Sequence, residues 1–576
     1  MSATEEVVRV AEAVIITLAV VFVSAGLLLL VANHFGLSPV PFYIIAGLIT
    51  GTVVESADVL DLALWGIAFL VFVFGIRVEL AELQTVLRDG ETAAVTQLLV
   101  VAPIAFAVGL AAGELFGFER PVENAIYIAA AATLSSTLVG AGLLEHEIRD
   151  NLVHGRLASS VHFFDDLLAV GVLLVISAEV LTAEVVTSKI GFGVLFLVAA
   201  LVVYRHGFPL LVRLAGDTDE LVLMGSVSIL IAFLAAAEYV GISIVVGAFA
   251  AGIAIRDDGA QALGVRNGIE SIRDFFVAIF FVTIGALVSI PSIEAIVIAA
   301  SLIVLVLVVN PIVMVLAFVY EGYDARTAYL TSTSLTTVSE LSLVIAIQAL
   351  VLDHLSIADA VFDAIILAAA VTMILTSLAR RREKVIYDVL VGRVVRGRQT
   401  RKIDEGSHVT DDLTDHVIIV GYGRQGRLLA ETCRRYGHPF VVLENDPVVW
   451  DDMRGECQNY VLGDAMADYP WEKARVSEAR LIVSTVAHQP VSSAVLALET
   501  DADIVLRAKT SAEARTLFDR GALFVNVPSV LASDQLVENV EAVLDGEIAP
   551  ADLRQHHRET LSMLERHGFA TRYRTP

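Results

Sequence analysis

The sequence predicts a polytopic α-helical membrane domain, built of inverted repeats with crossed, broken helices, and a cytosolic α/β domain after it. Three observations carry this reading. Of the 576 residues, 56% are hydrophobic and 18% charged, with a mean hydropathy of +0.74. Apolar stretches of spanning length recur with short Gly- or Pro-containing breaks up to about residue 380. Beyond that point short apolar strands alternate with helical stretches.

Such a composition excludes a water-soluble multidomain enzyme and makes the lipid bilayer a solvent for much of the chain. The net charge of -26 and pI near 4.9 exclude nucleic acid as a partner, because phosphate binding requires a basic face. Cys433 and Cys457 are too few for a disulfide framework and lack metal-ligand spacing. The opening Met1-Ser2-Ala3-Thr4-Glu5-Glu6 has no basic n-region, so the first apolar run is expected to stay as a span.

Four segments follow: a membrane domain over 1–380, a basic connector over 381–414, a nucleotide-binding domain over 415–535 and an acidic helical tail over 536–576. The connector holds Arg380, Arg381, Arg382, Lys384, Arg393, Arg396, Arg398, Arg401 and Lys402, suited to a cytosolic headgroup surface. We count about thirteen spans, centred near residues 22, 47, 68, 103, 134, 167, 197, 229, 249, 282, 307, 339 and 368. Arg77 and Arg88, Arg149 and Arg156, Arg205 and Arg213, Arg256, Arg266 and Arg273, and Arg326 fall in alternate loops. The other loops hold Glu55, Asp58, Asp61, Glu184 and Asp353, with Arg120 the main exception. An odd number of crossings then places the amino terminus outside and the soluble domain in the cytosol.

The sixth span carries Asp165 and Asp166 side by side in an otherwise apolar helix. Each would cost roughly 2.5–3.5 kcal/mol facing lipid, so the pair should face a hydrated cavity or each other. Neighbouring carboxylates in a poorly solvated site cannot both ionise easily, and a group on that margin can trade a proton for a cation. A pair locked into a buried salt bridge or helix contact is the structural alternative. His162, one turn before Asp166, is placed either to tune it or simply to pack. Two hydroxyl clusters, Thr133-Leu134-Ser135-Ser136-Thr137 in span five and residues 331–340 in span twelve, interrupt separate halves of the domain. Their pairing reads as an inverted repeat, in which broken helices offer carbonyls and half-helix ends to an ion; close helix packing is the alternative.

In the soluble domain, His416-Val417-Ile418-Ile419-Val420 reads as a buried strand. It runs into Gly421-Tyr422-Gly423-Arg424-Gln425-Gly426 and a helical stretch. That context turns a weak G-x-G-x-x-G into a phosphate-binding loop of Rossmann type. Glu444 ends the second strand, where an acid bonds ribose hydroxyls. The alternative is an empty or purely structural fold. Gly421-Tyr422-Gly423 also echoes a potassium-channel filter, but it follows a soluble strand instead of lying between spans. No companion catalytic domain follows, so sensing is favoured over hydride transfer.

These residues together resemble the monovalent cation:proton antiporter-2 family, in particular the Kef-type potassium efflux antiporters with a carboxy-terminal RCK (TrkA-N) domain. Tyr43-Ile44-Ile45-Ala46-Gly47 is similar to the second-span pattern of that family, and Leu134-Ser135-Ser136-Thr137 to its crossing helix. Gly155-Arg156 with Phe164-Asp165-Asp166 is similar to its ion-site signature. Val246-Gly247-Ala248-Phe249-Ala250-Ala251-Gly252, Phe280-Phe281-Val282-Thr283-Ile284-Gly285 and Ser339-Glu340-Leu341-Ser342 resemble later signatures. Gly463-Asp464-Ala465 resembles the turn beside the adenosine end of the nucleotide in RCK domains, and Arg507-Ala508-Lys509 their later basic strand end.

Two departures bear on mechanism. Asp165 stands where Kef-type chains usually carry Gln, giving the Asp-Asp form of electrogenic sodium/proton antiporters. The lysine that pairs with the first Asp in those antiporters is replaced here by Asn310, and Arg77 interrupts the usual Gly-Leu-Glu-Leu-Asp pattern. The resemblance implies that Asp166 binds a monovalent cation or a proton in alternation, helped by Asp165 and by oxygens of Thr133, Ser135 and Ser136. Arg156, His162, Asn310 and Glu340 would support the site, and a rocking bundle would expose it to each side. It further implies a homodimer and a regulatory nucleotide, NAD(H), AMP or ATP, held by Gly421, Gly423, Arg424, Gln425, Gly426, Glu444, Asp464 and Arg507.

Overall fold

The computed structural model describes residues 3–51, 56–76, 83–149, 152–176, 183–216, 218–255, 262–288, 291–351, 358–390, 406–555 and 557–558. Arg77, Glu79, Glu55, Arg256, Asp353 and connector residues 391–405 lie outside them, as does the tail beyond 558. The chain divides into two units: Met1–Glu321 with Thr327–Leu390, and Val391–Pro576 with Gly322–Arg326.

Among the described residues, the regular elements of the first unit are all helices. Its helices are α1 (Ala3–Phe35), α2 (Val40–Thr50), α3 (Ser56–Ile76), α4 (Leu83–Thr96), α5 (Ala102–Phe116), α6 (Pro121–Thr133), α7 (Glu145–Arg149), α8 (Val153–Ile176), α9 (Ala183–Val202) and α10 (Phe208–Ala215). There follow α11 (Asp219–Tyr239), α12 (Ile244–Ile253), α13 (Ala262–Leu287), α14 (Ile293–Val304), α15 (Asn310–Glu321), α16 (Ala325–Ser334), α17 (Glu340–Val351), α18 (Asp359–Arg380) and α19 (Glu383–Leu390). Among the described residues, six helical runs are long and apolar enough to cross a membrane, and five shorter apolar helices accompany them. The thirteen span centres read from the sequence each fall within a helix, a π turn or the break of a helix.

The order of elements repeats. α2, α3, the π-interrupted pair α4–α5, the broken α6 and α8 correspond to α12, α13, the π-interrupted pair α14–α15, the broken pair α16–α17 and α18. The π turns are Gln97–Val101 and Leu305–Val309. Residues 134–136 and 335–339 form the two breaks, where runs of Ser and Thr compete with the helical ladder for backbone groups.

The two repeats meet backbone to backbone. A Cβ added to Gly47 would sit 2.1 Å from Val282 O, and one added to Gly285 would sit 2.1 Å from Ile44 O, so α2 and α13 touch through their main chains. α3 and α12 do the same: a Cβ at Gly252 would lie 2.1 Å from Phe72 O, and one at Gly75 would lie 2.4 Å from Phe249 O. Gly47, Gly252 and Gly285 are the ends of motifs singled out in the sequence, and their chemistry is close helix approach.

The second unit holds a six-stranded, all-parallel sheet of β1 (His416–Val420), β2 (Phe440–Glu444), β3 (Tyr460–Leu462), β4 (Ala479–Ser484), β5 (Asp503–Arg507) and β6 (Phe524–Asn526). Its order, β3-β2-β1-β4-β5-β6, puts the switch point at β1, between β2 and β4. Alternate β1 side chains feed two cores, Ile418 and Val420 on one face and Ile419 on the other, as a sheet covered on both sides requires. The helix Pro528–Leu544 runs unbroken through residue 536, where the sequence reading begins the tail.

Replacing Gly252 by Leu should drive a side chain into Phe72 O and lower stability by about 1–3 kcal/mol. A fall in Tm of the detergent-solubilised protein would report it, with Gly171→Leu, where an added Cβ meets nothing within 4 Å, as the control. In the second unit, burial lowers the pKa of His416, whose Nε2 lies 2.9 Å from Ala474 O. The unfolded chain then binds the extra proton more readily, so stability present at neutral pH is lost as pH falls below about 6.5. Amide exchange of β1 in the full chain should accelerate on that acid side, and less so in His416→Gln.

Candidate functional site

The two breaks cross and satisfy each other. Ser135 pairs with Val338 in an antiparallel bridge, and the Ser339 N–H donates to Leu134 O at 3.1 Å. The Ser136 N–H donates to Thr337 Oγ1 at 3.3 Å, and Ser136 Oγ accepts the Val139 N–H at 3.2 Å. Glu340, fully buried at the start of α17, accepts the Leu138 N–H at 3.1 Å. A carboxylate there faces the amino ends of two half-helices, where the helix dipoles favour negative charge. The amide of Gln97, at the first π turn, donates to Thr133 O. Asn310, just after the second π turn, donates to Leu335 O at 2.9 Å. The position read from the sequence as a lost lysine therefore braces a broken helix.

α8 lies against the first break. Asp165 is 4% exposed, and its Oδ2 accepts both the N–H of Ser135, at 2.9 Å, and the Ser135 hydroxyl. His162, buried beside it, places Nδ1 3.1 Å from Ser135 Oγ, so its partner is the serine that serves Asp165. Asp166 is half-buried, and the Thr137 hydroxyl lies 3.1 and 3.2 Å from its two oxygens.

Of the residues marked in the sequence, Ser135 thus meets Asp165, while the Thr133 hydroxyl turns to Ala129 O at 2.7 Å and that of Ser136 caps the following turn. Arg156 stands half-buried at the end of the first turn of α8. Gln97 was missed, although a lone glutamine in an apolar run was a visible signal, and Thr137 was left out of the ligand set despite ending the hydroxyl cluster. A carboxylate with a hydroxyl across its oxygens, at a helix break, can hold a proton or coordinate a small cation.

In the second unit β1 is followed by Gly421, whose φ of +90° suits glycine, and the helix Arg424–Tyr436 begins three residues later. A Cβ at Gly426 would lie 1.9 Å from Gly421 O, whereas one at Gly423 would meet nothing within 4 Å. Gly426 is there for packing and Gly423 leaves open space at the helix start, next to Arg424 and Gln425. Glu444, at the end of β2, accepts the N–H groups of Tyr422 at 2.5 Å, Asn445 at 2.8 Å and Asp446 at 2.9 Å. Burial raises its carboxyl above the usual range. In this arrangement Glu444 ties the glycine loop to β2. Asp464 Oδ1 accepts the Met466 N–H at 2.9 Å. At the end of β5, Arg507 donates to Thr485 O at 3.2 Å, and its buried Nε has no partner among the described residues. An open glycine loop, an acid at the end of β2 and an orphaned guanidinium donor fit a nucleotide.

Residues 18–381 match the family model for the sodium/hydrogen exchanger, transmembrane, and residues 417–528 match the TrkA-N domain. The chain is similar to the putative K(+) efflux antiporter KefB of Alkalimonas amylolytica, at 27% identity over 87% of this chain and 77% of the relative. It is also similar to the putative cation/proton antiporter YbaL of Escherichia coli, at 25% identity over 91% of this chain and 97% of the relative. The fold resembles that of the sodium proton antiporter MjNhaP1 from Methanocaldococcus jannaschii, with a TM-score of 0.51 and 12% identity over 68% of this chain and 100% of that one.

Gly426→Ala should cost the second unit about 1–3 kcal/mol, because its new methyl meets a main-chain oxygen. Gly423→Ala should stay within about 0.5 kcal/mol of the parent. Denaturant unfolding of the full chain, followed by amide exchange in β1 and β2, compares the two.

Proposed function

The chain belongs to the sodium/hydrogen exchanger family, and from that premise we propose that it exchanges a monovalent cation, potassium in preference to sodium, for protons across the cell membrane, with Asp166 carrying either ion. Its apolar helices make it a multi-pass membrane protein. Half-buried Asp166, facing Thr137 at the crossing of two broken helices, is the observation that supports the reading most directly. Its carboxylate can bind a proton or a dehydrated cation, and competition between them yields exchange. Asp165, Ser135, Ser136 and Thr133 line the same break, and alternating access requires the ion-binding helices to be open to one side at a time. The preference for potassium rests on the relative named as a K(+) efflux antiporter. Moving one uncompensated charge against 100 mV costs about 2.3 kcal/mol, so the coupling ratio decides whether voltage drives the cycle.

In this reading the TrkA-N domain is cytosolic, pairs with its copy in a homodimer and binds an adenine nucleotide, NAD(H), AMP or ATP. Nucleotide would alter transport by binding one state of the exchanger better than the other. Gly423 and the helix start would take phosphate, and Arg507 would offer its unpartnered Nε to the ligand.

Asp166→Asn should abolish exchange in proteoliposomes when proton and cation movements are followed together under an imposed pH gradient. Persistent pH-driven cation flux in that variant would remove Asp166 from the role.

A further inference from the structure

The helix that follows each break in the repeat also braces it. In the first half, α8 sets Asp165 against the N–H of Ser135. In the second half, the equivalent helix α18 sets Thr372 against the N–H of Val338, at 3.2 Å, and the Thr372 proton goes to Ala369 O at 3.2 Å. One turn later Thr376 donates to Thr336 O at 2.8 Å, and its oxygen lies 2.9 Å from Thr336 Oγ1. Thr372 and Thr376 are both buried. Ser135 and Val338 are the two residues that pair across the crossing. One bridge is therefore held from both sides, by a carboxylate at one end and by hydroxyls at the other.

We propose that Thr372 and Thr376 are positioning residues for ion exchange, fixing the peptide groups of residues 336–338 and, through them, the break that sets the hydroxyls against Asp165 and Asp166. This rests on the exchanger reading. The path is short. The fixed segment presents Thr337 Oγ1 to the Ser136 N–H, Val338 to Ser135 and the Ser339 N–H to Leu134 O. Residues 134–136 so take their orientation from 337–339, and the next residue, Thr137, carries the hydroxyl on Asp166. A buried N–H or carbonyl that loses its partner is costly to leave unpaired, so it turns toward another and takes the segment with it.

Valine matches threonine in shape without the hydroxyl, and serine keeps the hydroxyl without the methyl. In proteoliposomes of the full chain, Thr372→Val with Thr376→Val should raise the KM for the cation about tenfold, as losing two buried neutral hydrogen bonds implies, while the maximal rate stays within about twofold. Thr372→Ser with Thr376→Ser should return KM close to the parent value. A parental KM in the valine pair, an equal defect in the serine pair, or a fall in maximal rate with KM unchanged overturns the inference while leaving the exchanger reading intact. If the valine pair does not yield folded protein, the two single valine variants carry the same test, with about threefold effects expected and unchanged KM values overturning it. A parent protein without coupled flux overturns the exchanger reading and this inference together.

Discussion

Two unwound stretches of backbone meet inside an apolar helical unit, and their N–H and C=O groups have to be satisfied by protein. The rest of the first unit can be understood as the set of side chains that do this. The breaks bond to each other through Ser135, Val338 and Ser339. Gln97 and Asn310 take one carbonyl each, and Glu340 takes an N–H. The π turns at Gln97–Val101 and Leu305–Val309 accompany two of these braces, in keeping with the tendency of such bulges to sit at working positions in helices. Removing a brace costs more than one hydrogen bond, because the group left behind stays buried and unpaired.

The same constraint separates two carboxylates that look interchangeable in the sequence. Asp165 points at the main chain of the break and is held by the N–H and hydroxyl of Ser135. Asp166 is one residue on, so it points about 100° away around α8, toward Thr137 and into a less buried setting. Adjacent acids on a helix cannot share a face, and here the geometry assigns one to the scaffold and leaves the other at the more accessible edge. A lysine opposite Asp165 would have no obvious task, since both donors of Ser135 already meet that carboxylate and Asn310 is occupied with Leu335 O.

Much of this was legible before any coordinates. Hydropathy located the helices, the runs of Ser and Thr located both breaks, and Gly421 to Gly426 after a buried strand located the turn from β1 into the next helix. What stayed hidden was pairing between residues far apart in the chain. Gln97 reaches a carbonyl 36 positions away, and Thr376 reaches one 40 positions away. Neither residue type announces such a partner. The sequence favoured the hydroxyls of Thr133 and Ser136 for an ion and passed over Thr137, whereas the local turn spends the first two on nearby backbone and sets the third on Asp166. Glu444 shows the same limit: its place after β2 was evident, whereas its grip on three N–H groups was not.

The glycine contacts between α2 and α13, and between α3 and α12, have a mechanical consequence. Where side chains separate two helices, a small slide can be absorbed by rotamers that reshuffle. Here main chain abuts main chain at Gly47, Gly75, Gly252 and Gly285, and at those points no side chain is present to rearrange. Those four helices should behave as one stiff plate, resisting shear until the contact parts altogether, so that any rearrangement elsewhere in the helical unit has a fixed frame to work against.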